Sequence, residues 1–220
     1  VQRKEGYKAE TIIAETIDDV YKARGTKYSR VKMMSKLEEL IEKGKQNIAF
    51  VGTPCEIRAV RKIQQQLLHD FPSVKITVLG LFCYEAFIYE KLKNETEKLL
   101  GVDLDKAEKT QIRRGKYIVQ VDGKEYSCRV KDLNNAVENG CAYCDDFVAL
   151  LADVSVGSVG SRDGYSTVIV RSDVGKKLVE DVNFIKGDIV IEEVKKISAL
   201  KKKRAKKYFV PLLQEHPSPV

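Results

Sequence analysis

The chain has 220 residues, 43% hydrophobic and 32% charged, which suits a globular protein with a real core. No run approaches the roughly 18–20 apolar residues of a membrane span, so none is expected. Lys and Arg number 39 against 32 Asp and Glu, and the net charge of +7 favours an acidic partner: nucleic acid, an anionic surface or a polyanionic small molecule.

The opening VQRKEGYKAE has neither Met nor the apolar core of a secretory signal, and reads as the later part of a longer polypeptide. TIIAETIDDVYKAR (11–24) carries apolar residues at helical spacing, and RVKMMSKLEELIEKGK (30–45) is a stronger amphipathic helix ending at Gly44. NIAFVG (47–52) and VKITVLGLF (74–82) read as buried strands. Between them TPCEIRAVRKIQQQLL (53–68) opens as a helix, with Thr53 as N-cap, Pro54 in the first turn and Glu56 closing a capping box. Strand, helix and strand in that order predict a parallel α/β unit.

EAFIYEKLKNETEKLL (85–100) is predicted as a second crossover helix. KYIVQV and KEYSCRV, joined by Asp122–Gly123, predict a β-hairpin. CDDFVALLAD (144–153) reads as a short helix, DVSVG (153–157) and YSTVIVR (165–171) as strands, and SDVGKKLVEDV (172–182) as a capped helix. A long basic helix closes the chain at about 191–210, with KKKRAKK at 201–207. The fold class expected is α/β: a parallel or mixed sheet with flanking helices, a hairpin insertion and the basic helix. No repeat or Pro/Gly-rich linker forces a split, so residues 1–220 read as one domain. The basic run reads as a solvated helix face. Aromatic residues do not interleave with its charges, which argues against nucleic acid.

Five cysteines, an odd number, argue against a disulfide framework and for reduced thiols in the cytoplasm. Cys55 sits near a helix start directly after a strand, where backbone N–H groups and the helix dipole favour a thiolate. Cys83 ends the next strand. In a parallel sheet, strand ends and the helix starts that follow share one edge, where ligands bind. Cys141 and Cys144 form a C-x-x-C pair that completes a set of four if its turn docks there. Cys128, in the hairpin, reads as a small core residue. With only two His in the chain, four thiolates point to zinc or to an iron–sulfur cluster, and spacing leaves both open.

DVSVGSVGSRDGYST (153–167) places Gly157, Gly160 and Gly164 among Ser158, Ser161, Ser166 and Thr167. Small residues let N–H groups approach an anion, and hydroxyls add donors. It matches neither the Walker motif nor the dinucleotide fingerprint. The plain alternative is a turn between two strands. ARGTKYSR (23–30) is similar, with Gly25, Thr26 and Lys27 able to hold a phosphate or simply to join two helices.

In order, GTKYS, VGTPCEIRAVRK, GLFCYEAF, GCAYCDDFVALLADVSVGSVGS and DGYSTVIVR resemble the coenzyme F420 hydrogenase/dehydrogenase beta-subunit family, from about residue 20 to the basic tail. The resemblance implies an α/β iron–sulfur flavoprotein. It implies that Cys55, Cys83, Cys141 and Cys144 hold a [4Fe–4S] cluster. It further implies that Gly25, Thr26, Lys27 and Tyr28, with Gly157, Ser158, Val159, Gly160, Ser161, Ser166 and Thr167, line an FAD site. The family's additional N-terminal segment, with its glycine pair, is missing from this sequence. The implied activity is that of an F420-dependent oxidoreductase subunit, in which FAD converts between the hydride of F420 and the single electrons of the cluster. The implied partners are hydrogenase or formate dehydrogenase subunits. Such chemistry requires no side-chain acid or nucleophile, and His69 and His216 lie outside every motif. Arg58, Arg61 and Lys62 are candidates for the polyanionic tail of F420, their alternative being an exposed helix face. Two further readings are a ferredoxin-dependent reductase of the same superfamily and a zinc-stabilised basic nucleic-acid-binding module.

Overall fold

The computed structural model describes residues 1–4, 6–185, 187 and 189–215, without the side chains of 67, 68 and 209–215; His216 lies outside that range. The described chain divides into two compact units. The first takes residues 1–36 and 85–141, the second 37–84 and 142 onward. Both units are discontinuous in sequence, so no linker composition marks the division.

The first unit opens with a short antiparallel pair, β1 (Gln2–Arg3) and β2 (Ala9–Glu10), followed by α1 (Ile17–Ala23). Periodicity predicts a helix from residue 11, yet α1 starts at Ile17. Thr16 caps it: its hydroxyl accepts from the Asp19 N–H, and the Asp19 carboxylate accepts from the Thr16 N–H. That box fixes the helix start regardless of the apolar residues before it. Helix α2 (Met34–Glu42) spans the division in sequence and buries Leu37 and Ile41.

The second unit then lays down β3 (Asn47–Gly52), α3 (Pro54–Asp70) and β4 (Lys75–Leu81). Strands β3 and β4 are parallel with Gly52 opposite Gly80, as a strand–helix–strand unit requires. Glu56 accepts from both the Thr53 N–H (2.7 Å) and the Thr53 hydroxyl (2.8 Å), fixing the entry to α3.

The chain returns to the first unit with α4 (Tyr89–Leu100), β5 (Lys109–Arg113), β6 (Lys116–Val121) and β7 (Lys124–Arg129). The hairpin β6–β7 turns at Asp122 and Gly123, both at positive φ, and β5 extends it to an antiparallel three-strand meander. Sequence reading makes α4 a crossover helix of the parallel sheet. Instead its apolar face, with Leu92 and Thr96 buried, belongs to the core of the meander unit beside Phe87, Leu104, Tyr117, Val119 and Leu133. Each such apolar side chain contributes about 1.5–3 kcal/mol of burial, which explains why α4 packs there. Tyr28 edges onto Tyr117, and Cys128 packs at the core's margin.

Back in the second unit come β8 (Val154–Gly157), β9 (Thr167–Val170), α5 (Asp173–Leu178) and α6 (Ile191–Glu215). The sheet order is β3-β4-β8-β9, with β8 parallel to β4 and β9 antiparallel to β8. The mixed α/β class, the hairpin and the long basic helix are all present. One predicted helix is not: 144–153 is a loop lying on the sheet. The Asp146 carboxylate accepts from the Val148 N–H (3.1 Å) and the Leu150 N–H (2.8 Å), giving this backbone partners without a helix. Ala149 takes a left-handed φ of 52°, and an added Cβ on Gly80 would meet the Ala149 Cβ at 2.3 Å. Gly80 is what lets the loop sit so close to β4.

Candidate functional site

The carboxyl ends of β3, β4 and β8 point the same way, so the segments leaving them share one edge of the second unit's sheet. Cys55 follows β3 in the first turn of α3; it is exposed, its Sγ 3.4 Å from the Thr53 Oγ1. Cys83 follows β4, its N–H donating to the Phe147 carbonyl at 2.9 Å. That bond holds the loop carrying Cys144 against the end of β4. The Cys144 Sγ faces the Asp146 carbonyl, and Arg58, one turn into α3, pairs with Asp145 at 2.9 Å. The loop after β8 begins at the same edge, since the Phe82 N–H donates to the Val156 carbonyl and Gly157 lies against the Phe82 ring. Cys55, Cys83, Cys144 and the Gly/Ser loop are thus brought to one edge by topology.

Cys141 lies in the first unit, where its Sγ stands 3.4 Å from the Ala86 N. None of the five cysteines is in a disulfide. Among the described residues, no group of three or more His, Cys, Asp or Glu side chains is gathered to hold a metal ion. The fit to a four-thiolate centre is therefore one of donor chemistry, with Cys55, Cys83 and Cys144 placed along the edge. Cys128 sits in β7, opposite Tyr117, and burial followed by the Asp132 charge pushes its thiol up, as suits an inert packing residue.

The Gly/Ser loop connects the antiparallel strands β8 and β9, which is the turn that the plain reading expects. The Ser161 Oγ and Thr167 Oγ1 share a hydrogen bond of 2.6 Å, and the Thr167 hydroxyl donates to the Val159 carbonyl. Gly160, at φ 90°, has no room for a Cβ beside Val194, so its lack of a side chain permits the loop's close approach to the start of α6. In the first unit, Lys27 donates to the carbonyls of Ala23 (2.7 Å) and Arg24 (2.8 Å), closing α1. Tyr28 packs its ring against the core, and its hydroxyl accepts from the Ile112 N–H. Lys27 also lines an open concavity of about 530 Å³ with Gln2, Arg3, Tyr21, Lys22 and Arg24, which has no carboxylate in its lining. Burial, with repulsion from Arg3, holds the Lys27 ammonium below its ordinary range.

A second group of charges lies at the amino end of β8, where the cysteine loop joins the sheet. Arg61 pairs with Asp153 at 2.9 Å and donates to the Leu151 carbonyl. Burial alone would raise the Asp153 carboxyl, but donation from Ser172, the Val78 N–H and Arg61 outweighs it and holds the group below the usual range. Arg171 donates to Ser155 and to the Val148 carbonyl, and burial pushes its guanidinium down. Arg58 and Arg61, sequence candidates for the F420 tail, are thus already committed to Asp145 and Asp153. Sequence reading missed two members of the cysteine edge: Lys201 and Arg204 of α6 donate to the carbonyls of Cys83 and Tyr84. The signal was present, because Lys201 falls in helical register with Val194, Ala205 and Tyr208, on a stripe otherwise apolar or aromatic.

No helix among the described residues is long and apolar enough to cross a membrane. Residues 45–197 match the family model for the C terminus of the coenzyme F420 hydrogenase/dehydrogenase beta subunit. The coenzyme F420-dependent sulfite reductase of Methanocaldococcus jannaschii is 35% identical over 92% of this chain, which spans only 34% of that protein. The coenzyme F420 hydrogenase beta subunit of Methanothermobacter thermautotrophicus is 36% identical over 93% of this chain and 77% of its own. A chain of the F420-reducing [NiFe] hydrogenase complex from Methanosarcina barkeri superposes with a TM-score of 0.86 at 31% identity, covering 94% of this chain and 76% of that one. The chain belongs to the coenzyme F420 hydrogenase/dehydrogenase beta-subunit family.

Proposed function

We propose that this chain is the electron-transfer part of an F420-dependent oxidoreductase. It exchanges hydride between F420 and FAD and passes single electrons through a [4Fe–4S] cluster to a hydrogenase or formate dehydrogenase subunit, in the cytoplasm. The observation that supports this most is the sheet edge in the second unit, where Cys55, Cys83, Cys144 and the Gly/Ser loop meet. When bound, FAD supplies the conversion between a two-electron hydride and single electrons.

The chain's own residues do the rest. Cys55, Cys83, Cys141 and Cys144 supply four thiolates, the donor set of a cluster. The Arg58–Asp145 pair and the Cys83–Phe147 backbone bond hold the loop of Cys144 in place. The Phe82 and Phe147 rings, 5.3 Å apart, pack that loop against the residue that follows β4. Ser158 and Ser166, exposed on the Gly/Ser loop, are available to an anionic cofactor, while Ser161 and Thr167 brace the loop from within. The basic concavity around Lys27 suits a phosphate-bearing ligand.

The test is titration of anaerobically purified, iron- and flavin-loaded protein with reduced F420, NADH and reduced ferredoxin. Stoichiometric bleaching of the flavin by reduced F420 alone is the expected result. Reduction by ferredoxin alone would transfer the reading to a ferredoxin-dependent reductase, and a colourless zinc-loaded protein would overturn both.

A further inference from the structure

Helix α6 carries the basic run, and a run of this composition normally lies in solvent. Lys202, Lys203, Lys206 and Lys207 do face outward. Lys201 does not. It is 1% exposed, and its Nζ donates to the backbone carbonyl of Cys83. Among the described residues no carboxylate pairs with it. The acids of the cysteine loop are engaged elsewhere, Asp145 by Arg58 and Asp146 by the Val148 and Leu150 N–H groups. One turn on, Arg204 donates to the Tyr84 carbonyl at 2.8 Å and stacks over the Tyr84 ring at 4.4 Å. One turn further, the Tyr208 ring packs at 5.9 Å on Tyr143, inside the C-x-x-C pair. Three successive turns of α6 therefore line the segments that carry Cys83 and Cys144.

Removing an ammonium group from water is costly, and one neutral carbonyl does not offset that cost. A buried cation without a carboxylate calls for another anion. A cluster held by four thiolates is such an anion, and it gains a further negative charge with each electron accepted. We infer that Lys201, with Arg204 beside it, is a built-in counter-charge for the iron–sulfur centre and sets how readily that centre takes an electron. The inference rests on the iron–sulfur reading above. Lys201 is a positioning residue here: it touches the backbone of Cys83 and acts on the centre through its charge. No bond forms or breaks, and the one electron arrives from the reductant used in the titration.

The experiment compares Lys201→Met, Lys201→Gln and Lys201→Arg in the full chain, loaded with iron and sulfide, by metal content and by redox titration followed with electron paramagnetic resonance. Met and Gln are expected to keep iron while the equilibrium constant for one-electron reduction falls about tenfold, about 59 mV downward for a one-electron couple. Arg is expected to stay close to the unsubstituted chain. In iron-free protein, Lys201→Met is expected to raise the thermal midpoint, because the uncompensated cation is gone. An iron-loaded Lys201→Met with an unchanged midpoint potential overturns the inference and leaves the cluster standing. An unsubstituted chain that takes up no iron overturns the cluster reading itself. Failure of both Met and Gln variants to fold would make the Cys83 contact purely structural, and would also overturn the inference.

Discussion

The two units bury different things. The first builds its core from Phe87, Leu92, Tyr117, Val119 and Leu133, and among the described residues its buried polar side-chain groups are hydroxyls, those of Thr96, Thr110, Tyr7 and Tyr117. The second buries Asp146, Asp153 and Lys201 as well. A hydroxyl costs less to bury than a charge: Thr96 donates to the Leu92 carbonyl, Thr110 shares a 2.7 Å bond with Tyr7, and the Tyr117 hydroxyl is buried without a partner among the described residues. Buried charges need networks or counter-ions. The first unit is therefore organised as a scaffold. The second carries buried charge at both ends of its strands, Asp153 before β8 and Lys201 beside Cys83 after β4.

The sharpest way to break this contrast is Asp153→Ala. It strips Arg61 of its carboxylate and leaves the Val78 N–H without an acceptor inside the sheet, at a cost of about 4 kcal/mol. Urea unfolding measures the loss, and a change below about 1 kcal/mol would mean the second unit is not electrostatically stressed. The pH dependence follows the same group. Its folded-state pKa is depressed below the ordinary value of about 3.9, so its stabilisation is fully present above that value and is lost as pH falls through the depressed one. Acid unfolding of Asp153→Asn should accordingly be flatter below about pH 4 than that of the unsubstituted chain.

Next in size is Gly80→Ala, whose new Cβ would meet the Ala149 and Ala152 Cβ atoms at 2.3 and 2.9 Å. Overpacking there should cost about 2 kcal/mol and loosen the loop of Cys144, seen as faster hydrogen exchange at the Val148 and Leu150 amides. The smallest effect belongs to the scaffold. Thr110→Val removes one neutral hydroxyl pair and should cost about 1 kcal/mol, since the Thr110 N–H still donates to Tyr7. A larger loss from Thr110→Val than from Asp153→Ala would reverse the assignment of roles.

Local signals carried much of this architecture. β3 matches NIAFVG residue for residue, because its inward alternation defines the strand and the Thr53–Glu56 box ends it. Asp122–Gly123 located the hairpin for the same kind of local reason. What was not legible depended on tertiary partners. The apolar run 144–153 reads as a helix until Asp146 and Gly80 are seen holding it flat against the sheet. Helix α4 has the periodicity of a crossover helix, and only packing decides which core receives its apolar face. At the site, the strand order brought Cys55 and Cys83 to one edge as parallel pairing requires. The basic run looked like solvated surface because composition hides the one lysine on its inward stripe.

The proposed cluster takes its thiolates from Cys55, Cys83, Cys141 and Cys144, and Cys128 takes no part. Iron and acid-labile sulfide in anaerobically purified Cys144→Ala and Cys128→Ala chains test it directly. The account expects about four irons per chain in the unsubstituted protein. Cys128→Ala should retain them, and Cys144→Ala should lose them with the brown colour. Iron retained in Cys144→Ala, or lost in Cys128→Ala, would contradict it.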